Sequence, residues 1–95
     1  MTDTWKSFVL TENFRPAEDA RLQNFLSENA KFGVRISAAK LRRVDTMLVE
    51  LLLCAATSWR GRGLGFEVTD VSEANEVVFQ QLGITSGLLM RRVAA

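Results

Sequence analysis

The stretch VDTMLVELLLCAATSWRGRGLGFEVTDVSEANEVVFQQLGI, residues 44–84, decides the fold. It opens on Asp45-Thr46, and either residue can cap a helix, because each carries a side-chain oxygen able to accept an orphan backbone N–H. From about Thr46 to Arg60, Leu48, Leu51, Leu52, Ala55 and Trp59 fall on one broad arc at helical spacing, which predicts a helix with that arc toward the core. Gly61 and Gly63 end it, since glycine reaches left-handed conformations without a Cβ penalty. Arg60 and Arg62 suit the negative end of the helix dipole. Leu64 to Thr69 then reads as a strand, and Ser72 as the cap of a further helix whose buried side is Ala74, Val77, Val78 and Leu82 and whose stop is Gly83.

Upstream, Gly33 to Ala38 alternates apolar and polar residues, as a strand with a buried face does. Before it, Ala17, Ala20, Leu22, Phe25 and Leu26 recur at helical spacing, with Pro16 suited to the first turn. Ser7 to Leu10 is a short β-prone run. The tail from Leu88 to Val93 reads equally as strand or helix. The order β-α-β-α-β-α with short connections predicts a single α/β domain over residues 1–95, a mixed or mostly parallel sheet covered by helices.

Composition narrows the function classes. The chain has 12 Lys plus Arg against 11 Asp plus Glu, a net charge of +1, which supplies no field of the kind that condenses on nucleic acid. It has no histidine and one cysteine, Cys54, so Ser-His-Asp or Cys-His chemistry, a His-ligated metal, a Cys-rich zinc cluster and an internal disulfide are all excluded. Cys54 lies in an apolar helical run and reads as a small buried or half-buried hydrophobe. Asp45, Glu50, Asp70 and Glu73 are the carboxylates an acid/base pair would need, but nothing in their spacing requires one. Gly61, Gly63 and Gly65 follow a helix, whereas phosphate-cradling glycine loops follow a strand and precede a helix. No cofactor is expected. The N-terminus lacks a long apolar segment, and the apolar run from Met47 to Ala56 is broken by Glu50 and too short to span a bilayer, so a cytoplasmic protein without membrane insertion is expected.

Over residues 44–84 the sequence resembles the STAS family, which includes anti-sigma-factor antagonists. The parts that carry the resemblance are Val44-Asp45-Thr46 ahead of a leucine-rich helix, the Phe66-Glu67-Val68 strand, Val71-Ser72, and a helix ending at Leu82-Gly83-Ile84. The match is weaker before Gly33, where one short strand stands in place of the family's usual two. Met47, Leu48 and Val49 also replace the small residue or glycine that often follows the family's Asp-Ser or Asp-Thr.

The resemblance implies a STAS-like fold and a non-enzymatic, protein-binding regulatory role in signal transduction by partner switching. In that role Thr46 matches the phosphoacceptor and Asp45 the acid before it. A phosphate at a helix N-terminus meets free N–H groups and the positive dipole end, yet adds roughly −1.5 to −2 charges to any docked surface. On a helical wheel, Leu53, Thr57, Glu50 and Val49 lie within about 60° of Thr46, away from Leu48, Ala55 and Trp59. Asp45, Val49, Glu50 and Leu53 are therefore expected to form a docking patch, with Arg42 and Arg43 as its charged rim. The implied partner is a kinase-like anti-sigma or other signalling protein. The alternative is an ABC ATPase, with the chain as a cytoplasmic STAS accessory subunit of a phospholipid-transport complex. A patch exposing Val49 and Leu53 would also suit a homodimer.

Overall fold

A computed structural model describes Trp5 to Gly83 and the backbone of Met90–Arg91. The element order is β1 (Trp5–Val9), α1 (Arg21–Glu28), β2 (Gly33–Ser37), α2 (Thr46–Gly61), β3 (Phe66–Thr69), α3 (Glu73–Gln81) and β4 (Met90–Arg91). The sheet runs β1-β2-β3-β4, and each neighbouring pair is parallel. This is a small α/β domain, parallel throughout its described strands rather than mixed. Of the C-terminal tail, Met90–Arg91 is strand and the remainder of residues 88–93 lies outside the described residues, as does Ile84.

Strand order equals chain order, so each crossover steps the same way across the sheet. Right-handed crossovers then put every helix on one face. Burial follows: Val34, Ile36, Phe66 and Val68 point into the core, while Arg35, Ser37, Glu67 and Thr69 on the opposite face are half-buried and Ser7 and Val9 are exposed. The helices thus cover one side of the sheet rather than both. On the open face the Trp5 indole lies across Gly33 and Gly65. A Cβ on Gly65 would fall 2.3 Å from the ring, so only glycine lets the indole lie this close. Arg35 stacks on the same ring, its guanidinium carbon 4.3 Å from the centroid, and pairs with Glu67 across the strands at 3.0 Å.

The helices depart from the sequence pattern in two places. α1 begins at Arg21, not near Pro16, because the Asp19 carboxylate accepts the Arg21 backbone N–H and grips its guanidinium; Pro16 is buried in the preceding turns. The hydrogen bonds from the Arg21 side chain and backbone, aided by its charge, hold the half-buried Asp19 carboxyl below the usual range. Leu22 and Leu26 are buried and Phe25 partly so, while Ala17 and Ala20 are exposed.

On α3, the anticipated buried side turns outward. Ala74 and Leu82 are exposed, Val77 is 53% exposed and Val78 is half-buried; Asn75 and Phe79 face the core instead. The Asn75 amide donates to the Leu41 carbonyl at 2.8 Å, which orients α3 by a polar anchor.

α2 ends as expected: Gly61 is its last residue and Gly63 adopts φ 74° just beyond. Trp59 anchors this end, its indole N–H donating to the Phe32 carbonyl at 2.7 Å and its ring meeting Phe66 edge-on. Arg62 lies over the outer face of that indole and donates to the Ala30 carbonyl.

Candidate functional site

The start of α2 is held by the segment that connects it to β2. Ala38 and Leu41 are buried, and Leu41 N–H closes a turn onto the Ala38 carbonyl at 3.1 Å. Asn75 takes the Leu41 carbonyl, and the backbone N–H groups of Arg42 and Arg43 donate to the Glu12 carbonyl at 2.8 and 3.3 Å. The β2–α2 segment is therefore tied to α3 on one side and to the β1–α1 segment on the other. Phe14, fully buried and edge-on to Phe8 at 5.9 Å, fixes the β1–α1 segment in turn.

The cap is Asp45. Its carboxylate accepts the Leu48 backbone N–H at 3.3 Å while its backbone stays extended, and Thr46 is the first helical residue. Replacing Asp45 with alanine is expected to cost about 0.5–2 kcal/mol, and with asparagine much less, since asparagine ranks with aspartate as a cap. Equilibrium urea unfolding checks both, and equal losses for the two variants would deny the capping role.

Thr46, Met47 and Glu50 are exposed, Met47 by 51%. Arg42 and Arg43 are exposed on the preceding segment, and Leu53 is half-buried. Val49 is not on this surface. It is 1% exposed and part of the core, so the anticipated Val49/Leu53 pair does not form, nor does a homodimer patch built on Val49. The reason is the centre of the buried arc. Val49, Leu52, Ala56 and Trp59 are buried together with Leu48 and Ala55, which shifts the core face toward Val49 and turns Glu50, Cys54 and Thr57 to solvent. Cys54 is accordingly exposed rather than buried. Met47, which the sequence reading passed over, is the large apolar residue beside Thr46. With the buried arc centred near Leu52, Met47 falls on the opposite side of the helix and so faces solvent.

Among the carboxylates, Asp45 is engaged as the cap. Asp70 sits just past β3 at φ 60° and accepts the hydroxyls of Ser37 and Thr69, both at 3.1 Å. A left-handed aspartate is tolerated better than most side chains there, and its own hydrogen bonds hold it. Among the described residues no group of three His, Cys, Asp or Glu side chains could hold a metal ion, and no helix is long and apolar enough to cross a membrane.

No family model, curated protein or solved structure matches the chain.

Proposed function

We propose that this chain is a non-enzymatic, STAS-like regulatory module that docks a protein partner through the first turn of α2, with Thr46 as the position at which the partner is switched. The observation that carries the reading is that Asp45 caps α2 and leaves Thr46 exposed at its first position, beside Met47 and Glu50, on a segment anchored from both sides. Such a threonine is reachable by a kinase. A phosphate added there is compatible with the helix, because it meets the positive end of the dipole, but it inserts a strong negative charge into the docked surface. Met47 supplies the apolar contact and Arg42 and Arg43 the charged rim, in keeping with the usual division of an interface into apolar centre and polar edge. The resemblance over residues 44–84 supports the assignment of Asp45-Thr46 to this role.

Thr46→Glu and Met47→Asp are expected to keep the fold, since both positions are exposed and an acid in the first turn favours the helix. Each should lower affinity for the cytoplasmic partner by about tenfold or more, as charge placed in a docked centre does. Affinity capture from the native cytoplasm, followed by titration of the retained protein against wild type and both variants, reads this. A kinase-like or signalling protein lost from both variants is the expected result. An ABC ATPase with the same sensitivity would reassign the chain to a transport complex, and partners bound equally by all three proteins would remove this surface from the function.

A further inference from the structure

The two anchored segments that hold the α2 start also enclose a cleft. Two adjoining hollows, of about 210 and 510 Å³, lie between the β1–α1 and β2–α2 segments at the carboxyl end of the sheet. Asn13, Arg15 and Arg43 line both; Phe14, Val44 and Asp45 wall the smaller, and Glu12 and Arg42 the larger. The strand order has no reversal, so the strands do not part here and the hollow is made by the segments themselves.

The donors are unspent. Arg43 makes no ion pair and no side-chain hydrogen bond among the described residues, and the Asn13 amide makes no hydrogen bond there. Arg15 and Arg42 have only long, exposed ion pairs, to Glu18 at 3.7 Å and Glu12 at 3.8 Å, which hold little energy in water. Of the two carboxylates on the cleft wall, Glu12 is directed to Arg42 and Asp45 to the Leu48 N–H. The backbone bonds from Arg42 and Arg43 to Glu12 fix one wall against the other, so the segments that carry the donors are held together before any ligand arrives.

We infer that this cleft is a binding site for a phosphomonoester, its phosphoryl group seated between Arg15 and Arg43 with the Asn13 amide as a third donor. One guanidinium satisfies a planar carboxylate by a two-pronged bond. Donors arriving from two separate segments suit instead an anion whose oxygens point in several directions and which carries close to two charges. Half-buried Val44 supplies an apolar contact for the carbon portion of the ligand, and buried Phe14 backs the wall behind it. The site shares Arg42 and Arg43 with the rim of the docking surface, but binding is read on the free chain and so stands or falls separately from partner docking at Thr46.

The test is an NMR titration of the isotope-labelled full chain with glycerol 3-phosphate, following the Asn13 side-chain amide and the Arg15 and Arg43 Nε–H signals at constant ionic strength. Saturable shifts are expected, with sodium acetate producing none. Arg43→Ala and Arg15→Ala should each weaken binding about tenfold with unchanged melting temperature, and Arg60→Ala, at the far end of α2, should leave it unaltered. Co-sedimentation with phosphatidic-acid vesicles that Arg43→Ala abolishes would support the same site with a lipid as the source of the phosphomonoester. Shifts that stay linear in ligand, that acetate reproduces, or that persist in Arg43→Ala would overturn the site. None of these outcomes depends on Thr46→Glu, whose effect on partner capture is read separately.

Discussion

Trp59→Ala should destabilise the domain by about 3–5 kcal/mol, the usual cost of deleting a buried large aromatic. Trp59 is buried, packs edge-on against Phe66 of β3, and is tied by its indole N–H to the Phe32 carbonyl just before β2. It thus joins the end of α2 to two strands at once, and the truncation loses the packing and leaves the Phe32 carbonyl without its donor. Against the 5–15 kcal/mol available to a typical domain, a loss of that size lowers the melting temperature by roughly 15–30 °C. Trp59→Phe separates the two contributions. It keeps most of the apolar volume and removes the hydrogen bond, so about 1–3 kcal/mol should be lost. Urea unfolding of the three proteins measures this; a Trp59→Ala loss below about 1 kcal/mol would mean that the α2 end is not packed as described.

The second large effect lies on α3. Phe79→Ala should cost about 3–5 kcal/mol, because Phe79 is fully buried and, with Asn75, is what α3 contributes to the buried core. Asn75→Ala should cost about 1–3 kcal/mol, since it strands the buried Leu41 carbonyl. Val77→Ala should stay within about 0.5 kcal/mol, as an exposed substitution does. The three values together distinguish the observed orientation of α3 from the one its apolar spacing suggests, in which Val77 would be costly and Asn75 indifferent. Because Asn75 also holds the Leu41 turn, its loss should loosen the segment that presents Arg42, Arg43 and Asp45. Faster amide exchange at Arg42 and Arg43 in Asn75→Ala, measured by hydrogen–deuterium exchange, is the corresponding signature.

α3 shows where sequence pattern is ambiguous. Val71, Asn75 and Phe79 form one stripe at helical spacing, and Ala74, Val77, Val78 and Leu82 form another that is more uniformly apolar. Counting apolar residues selects the second. The structure uses the first, because Asn75 has a carbonyl to meet at Leu41, in a segment more than thirty residues upstream. A buried amide is unfavourable until its partner is known, and nothing local to α3 identifies that partner.

The sequence by itself determined the alternation of strands and helices, the boundaries of α2 to within a residue, the cap at Ser72, the left-handed Gly63 and the placement of Thr46 at a helix start. These depend on local chemistry: side-chain oxygens that accept N–H groups, glycine's freedom at positive φ, and apolar periodicity over a few turns. Tertiary structure alone decided that the strands stack in chain order with one sheet face open, that Val49 is interior while Met47 is exposed, and that Asn13, Arg15 and Arg43 share a cleft. Each of these depends on which surfaces meet across long separations in the chain. A helix reveals from its own sequence that it has a buried face, but the centre of that face is set by the sheet and the neighbouring segments it packs against.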